Sequence, residues 1–151
     1  MNPFTLKNKT ILVTGASSGI GAETSIKVAE MGANLILSAR NKKRLKETFA
    51  KLPKGNHQII PADLTNLDDI QGLIKNIKEI DGLVHSSGIV RPFPIKFIGT
   101  KQINEMFDIN YQGPVLLTSQ LFRAKKINNG ASLVFMSSIS SQFPHKGGAL
   151  Y

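Results

Sequence analysis

Lys9-Thr10-Ile11-Leu12-Val13-Thr14-Gly15-Ala16-Ser17-Ser18-Gly19-Ile20-Gly21 decides the fold. Ile11, Leu12 and Val13 form an unbroken apolar run, the pattern of a strand buried on both faces. Gly15, Gly19 and Gly21 follow at once, and a helical pattern starts at Ile20. A strand, a glycine-rich turn and a helix start together make a phosphate-binding element. The glycines let backbone approach a ligand where a Cβ would collide, and a helix N-terminus offers unpaired N–H groups to an anion. Ser17 and Ser18 add hydroxyl groups at the helix entry. A P-loop would carry Lys directly after its last glycine, and Ala22 stands there instead. Without the flanking strand and helix, the stretch would read only as a structural turn.

Outward from this stretch, strands alternate with helices. Apolar runs predict strands over residues 9–14, 34–38, 57–61, 82–85 and 131–136. Helices are expected over residues 20–31, 42–51 and 67–77. The third shows Leu67, Ile70, Leu73, Ile74 and Ile77 on one face, with Thr65 or Asn66 as its cap. A long helix is expected over residues 100–125, bent near Gly113-Pro114. Residues 137–151 read as loop. This alternation implies parallel strands and right-handed crossovers, hence an α/β Rossmann-like doubly wound sheet of order 3-2-1-4-5. Residues 1–151 read as one dinucleotide-binding domain.

Composition narrows the function classes. The chain of 151 residues has no Cys, which excludes disulfides and thiolate metal sites. No apolar run reaches the length of a membrane span, and residues 1–9 lack the apolar segment of a signal peptide. A cytoplasmic protein without membrane contact is the expectation. The net charge of +9 raises nucleic acid as a partner. The lysines are scattered, however, and no helix-turn-helix or aromatic–basic RNA motif accompanies them, so no nucleic-acid partner is expected.

In a doubly wound sheet the ligand lies beyond the carboxyl ends of the strands. Those ends carry residues 14–21, Ala39-Arg40, Asp63-Leu64, residues 86–88 and Ser137-Ser138, and all should converge on one crevice. A carboxylate after the second strand would bind a ribose 2′-hydroxyl, whereas an Arg accommodates a 2′-phosphate. Arg40 stands there, with Lys42, Lys43 and Arg44 behind it, which favours NADP(H) over NAD(H). Asp63 reads equally as an adenine contact and as a turn residue before the helix. Asn110 falls on an apolar stripe with Ile103, Phe107, Pro114, Leu117 and Leu121. Its amide either satisfies nearby backbone at the bend or holds something in the site. Ser137, Ser138, Ser140 and Ser141 follow the fifth strand.

These residues together resemble the first part of the short-chain dehydrogenase/reductase family. The run from Thr14 to Gly21 matches that family's cofactor turn, with Gly15, Ser17, Ser18, Gly19, Ile20 and Gly21 as implied contacts. Asp63 and Leu64 match its adenine-contacting pair. Asn110, in Phe-Asp-Ile-Asn-Tyr-Gln-Gly, falls where the family's helix-four catalytic Asn lies. Ser138 and, thirteen positions later, Tyr151 match its catalytic Ser and Tyr. The resemblance implies hydride transfer between NADP(H) and a small carbonyl/alcohol substrate. Tyr151 would donate the proton, Ser138 would bind the same oxygen, and Asn110 would hold a relaying water. It also implies a homo-oligomer, a dimer or tetramer built through the long helix.

Two departures stand out. The family's Asn-Asn-Ala-Gly after strand four is here His85-Ser86-Ser87-Gly88, and only Gly88 is kept. That puts the bracing of the neighbouring strands in question. His85 reads as a satisfied strand-end residue, with no companion for a metal site. The family also places a Lys four residues after its Tyr, where it lowers the phenol pKa; this sequence ends at Tyr151. The apolar run Leu133-Val134-Phe135-Met136 is poorly suited to an exposed sheet edge. A truncated piece of a longer enzyme, inactive as it stands, is the expectation. A non-catalytic dinucleotide-binding sensor or scaffold is the alternative.

Overall fold

A computed structural model of the chain describes residues 4–143 and 146–151. The expected lead-in and closing loop fall partly outside that range. Five strands form one sheet of order β3-β2-β1-β4-β5, as the sequence predicts. They are β1 (Thr10–Thr14), β2 (Asn34–Ser38), β3 (Gln58–Ile59), β4 (Ile80–His85) and β5 (Ile127–Phe135). Each neighbouring pair is parallel, with Leu12 opposite Ile36 on one side and Leu83 on the other.

Helices α1 (Gly19–Glu30), α2 (Lys42–Phe49), α3 (Leu67–Lys75), α4 (Thr100–Phe107) and α5 (Gly113–Arg123) complete the chain. Side chains alternate across each strand, so the sheet builds two cores. Ile11 and Val13 of β1 and Leu35 and Leu37 of β2 pack with Ala29 of α1 and Leu45 of α2. Leu12, Ile36, Ile80 and Leu83 pack on the other face with Ile70, Leu73 and Ile74 of α3 and Leu117 and Leu121 of α5. Continuous apolar strands are thereby explained, because both faces are covered.

Helix starts follow local side-chain chemistry. Asn41 Oδ1 accepts from Arg44 N–H at 3.0 Å to cap α2. Asn66 Oδ1 accepts from Asp68 and Asp69 N–H to cap α3, with those two carboxylates near its positive end. Asn66, rather than Thr65, is therefore the cap.

Three expected elements differ. The third strand is two residues long, not five: Pro61 has no N–H to give the ladder at its end, and at its start the His57 imidazole replaces backbone. Its Nδ1 accepts from Leu35 N–H at 3.2 Å, and Nε2 donates to the Pro53 carbonyl at 3.0 Å. The fourth strand starts two residues earlier than expected, at Ile80. There Ile80 N–H donates to the Lys126 carbonyl, and the Asp81 carboxylate accepts from Thr10 N–H at 2.9 Å and Asn128 Nδ2 at 3.1 Å. The Thr10 N–H bond leads in holding the Asp81 pKa below its ordinary value. The fifth strand starts at Ile127, not Ala131, but residues 128–131 leave the ladder. Ile80 faces Ile127 and Gly82 already faces Ser132.

The helix expected over residues 100–125 is carried by α4 and α5, with a π-helical turn, Asp108–Gln112, between them. Pro114 explains the irregularity. It has no N–H, so the Asn110 carbonyl four residues earlier has no α-helical donor.

Candidate active site

The carboxyl ends of the strands meet at a cleft of about 920 Å³. At its centre the turn after β1 is clamped between neighbours. Ala16 N–H donates to the Ser38 carbonyl at 3.2 Å, tying the turn to β2. Gly15 has φ +66°, and an added Cβ would stand 2.5 Å from the Ser86 carbonyl oxygen, so the turn presses directly on the end of β4. Thr14 fastens the same junction. Its Oγ1 donates to the Val84 carbonyl and accepts from Ser86 and Ser87 N–H, at 3.2 and 3.4 Å for the latter two. The strand bracing put in question by Ser86 and Ser87 is thus supplied from β1.

The start of α1 suits a diphosphate. Its N-cap is Ser18, whose side chain makes no capping bond, and no carboxylate sits in the first turn. Gly19, at φ +54°, has no atom within 4 Å of where a Cβ would be, so the turn opens onto space rather than packing. Ser17, Ser18, Gly19 and Ile20 line the cleft, while Gly21 is buried beneath it against Gly15. Unpaired N–H groups, an aligned helix dipole and an uncrowded approach are what an anionic group needs.

One end of the cleft is charged. Arg40, Arg44 and Asp63 line it. Arg40 lies 3.8 Å from the Asp63 carboxylate, an exposed and therefore weak ion pair. Asp63 Oδ1 also accepts from Thr65 N–H at 3.0 Å and Oγ1 at 2.9 Å. Its carboxylate thus makes the local turn, and Leu64 lines the cleft beside it.

Asn110 reaches from the π turn to the loop after β4. Its Oδ1 accepts from Ile89 N–H at 2.8 Å, and its Nδ2 donates to the Ile89 carbonyl at 2.9 Å. Both ends of the amide are committed to one residue's backbone, on the loop after β4 and not at the helix bend where the sequence suggested a partner. Gly88 sits directly beside it, since a Cβ there would lie 3.4 Å from Asn110 Oδ1.

Ser138 and Tyr151 line the other end of the same cleft. Ser138 follows β5 and caps a short 3-10 turn, Ile139–Ser141, with its Oγ accepting from Ser140 N–H at 3.1 Å. Tyr151 is 42% exposed. Its segment is docked onto the loop after β4 through Phe93 N–H, which donates to the Gly147 carbonyl at 2.8 Å. His85 lies outside the cleft lining, buried with its ring stacked on Phe135 at 4.7 Å. Burial pushes its pKa down to about 4.

The residues singled out from the sequence therefore converge on one crevice, apart from Gly21, which supports it from below. Sequence reasoning missed the Thr14 brace, the partnership of Asn110 with Ile89, and the wall formed by Val90, Met136 and Leu150. Thr14 carried a signal, a hydroxyl closing a fully buried strand; the others depend on long-range packing. Among the described residues, no group of three His, Asp or Glu side chains could hold a metal ion, and no helix is long and apolar enough to cross a membrane.

Known proteins resemble this chain in sequence and in fold. An uncharacterized oxidoreductase of Listeria innocua is 30% identical over 154 residues, covering 98% of this chain and 62% of its own length. The 11-beta-hydroxysteroid dehydrogenase-like 2 protein of Arabidopsis thaliana is 32% identical over 151 residues, covering 95% of this chain and 49% of its own. The chain thus spans about half to three fifths of these relatives. Among solved structures, a short-chain dehydrogenase/reductase (glucose/ribitol dehydrogenase) from Brucella melitensis superposes with TM-score 0.90 at 25% identity, over 98% of this chain and 64% of that one. A dehydrogenase/reductase from Sinorhizobium meliloti 1021 gives 0.88 at 25% identity, over 98% and 61%. The short chain dehydrogenase family model matches residues 9–151. With its glycine turn, sheet order and strand-end cleft, the chain belongs to the short-chain dehydrogenase family.

Proposed function

We propose that the protein, in its full chain, transfers hydride between NADP(H) and a carbonyl/alcohol pair. The observation that carries this reading is one cleft that holds the Gly15–Gly21 turn at its centre, Arg40 and Arg44 at one end, and Ser138 with Tyr151 at the other. The diphosphate would lie on the N–H groups at the start of α1. Arg40 and Arg44 would take the 2′-phosphate; a dianion there outcompetes the single, exposed Asp63 carboxylate for Arg40. Asp63 and Leu64 would border the adenine, and Gly88 would leave room along the loop after β4.

The bound cofactor supplies the hydride. As the substrate oxygen gains charge, Tyr151 passes it the phenolic proton and Ser138 donates a hydrogen bond to it. The Asn110 amide is already committed to Ile89, so any water it holds would sit on its main-chain carbonyl, to which Pro114 offers no N–H. Val115 and Phe122, seven residues apart on α5, are exposed outside the cleft lining, apolar surface that supports homo-oligomerisation. A cytoplasmic location is part of the same proposal.

Fluorescence titration of the full chain with NADPH and NADH tests the reading. Saturable binding that is tighter for NADPH is expected; tighter NADH binding overturns the cofactor assignment. Failure to oxidise NADPH with any carbonyl substrate, despite binding it, overturns the enzyme assignment.

A further inference from the structure

The cleft is divided by charge. Among the described residues its only charged lining side chains are Arg40, Arg44 and Asp63, all at the end formed by β2 and the segment after β3. The end that holds Ser138 and Tyr151 is walled by Val90, Ile103, Phe107, Met136 and Leu150. Val90, Ile103, Phe107 and Met136 are about half-exposed, so their side chains face open space rather than packing into the core. Arg91, on the loop after β4, holds Glu105 of α4 at 2.7 Å, and neither lines the cleft.

From this division we infer that the substrate is an uncharged carbonyl or alcohol with an apolar flank, such as a cyclic or aryl ketone. The inference rests on the hydride-transfer reading above and adds its substrate class. A carboxylate or phosphate beside the reacting carbon would leave water and meet no cation among the described residues lining this end, whereas an apolar flank is removed from water against an apolar wall. The polar side chains lining this end, Ser137, Ser138, Tyr111 and Tyr151, are hydroxyls that suit a carbonyl oxygen, and none is a carboxylate or a cationic group.

The test compares kcat/KM of the full chain, with NADPH, for an aryl ketone and for the same ketone bearing a ring carboxylate. The neutral ketone should be favoured by about tenfold or more. Val90→Lys should raise turnover of the carboxylate and lower that of the neutral compound. Ile103→Lys, on a different element, repeats the test should the first variant not fold. Equal or greater turnover of the carboxylate by the unaltered protein overturns the substrate class and leaves the hydride-transfer reading standing. Reduction of neither ketone while another carbonyl compound is reduced also overturns the substrate class alone; saturable NADPH binding with no carbonyl compound reduced overturns both.

Discussion

His85 donates from Nε2 to Thr118 Oγ1 across 2.9 Å, and that hydroxyl donates in turn to the Pro114 carbonyl at 2.8 Å. A threonine has one hydrogen to give, so the order of the chain fixes the tautomer: Nε2 carries the proton. Nδ1 is then a buried lone pair, with no partner among the described residues. The chain ties the end of β4 to α5 next to the π turn that carries Asn110. It occupies the place where the family's first Asn would stand.

The pH dependence of stability follows. The folded-state pKa of His85 is lowered by burial from 6.5 to about 4. Above pH 6.5 the ring is neutral in both states, and its contribution is fully present. Between those two values the unfolded chain binds a proton that the folded chain refuses, so stability falls as pH falls, by up to about 3 kcal/mol. Urea midpoints measured across this window should slope, and His85→Phe should flatten the slope. Thr118→Val leaves both ring nitrogens without partners and should cost about 1–3 kcal/mol at neutral pH.

Asn110 separates bracing from acid–base chemistry. Asn110→Asp keeps the acceptor for Ile89 N–H but sets a carboxylate against the Ile89 carbonyl, 2.9 Å away. Asn110→Ala removes both bonds. Each should lower stability, by about 1–3 kcal/mol for the Ala variant. Amide hydrogen exchange at Ile89 should rise strongly in the Ala variant and much less in the Asp variant. Equal exchange in both would mean that Asn110 does not hold this loop.

Arg40→Ala tests the charged end of the cleft. The exposed ion pair with Asp63 contributes little, so the fold should be unaffected. NADPH affinity should drop about 10- to 100-fold, the worth of a charge-assisted phosphate contact, while NADH affinity stays within about twofold. Paired titrations read the difference, and equal losses for both nucleotides would assign Arg40 a role other than phosphate recognition.

Sheet order and crevice were legible because they depend on local patterns. Ile11, Leu12 and Val13 are apolar whatever they touch, and Gly15 and Gly19 announce a turn in any context. The start of β3 was not legible, since it depends on an imidazole from His57 reaching Leu35 across 22 positions of sequence. The π turn was half legible: Pro114 announced an irregularity, but not that the ladder would widen rather than bend. Asn110 was ambiguous for the same reason, because its partner Ile89 is brought to it only by the loop after β4.

Two glycines of the turn answer to different demands, and the difference can be measured. Gly15 and Gly19 both have positive φ, so alanine at either carries a backbone penalty of roughly 1 kcal/mol. At Gly15 the new Cβ also meets the Ser86 carbonyl oxygen at 2.5 Å, a backbone atom that Thr14 holds in place through Ser86 N–H. Gly15→Ala should therefore lose several kcal/mol, on the order of the larger overpacking penalties, and be seen as a collapsed thermal midpoint. At Gly19 nothing lies within 4 Å, so Gly19→Ala should fold with only the backbone penalty. Its methyl group stands instead where a diphosphate would approach, and nucleotide affinity should fall at least about tenfold while the thermal midpoint shifts by a few degrees. Unchanged nucleotide binding in a folded Gly19→Ala protein would place the diphosphate away from the start of α1.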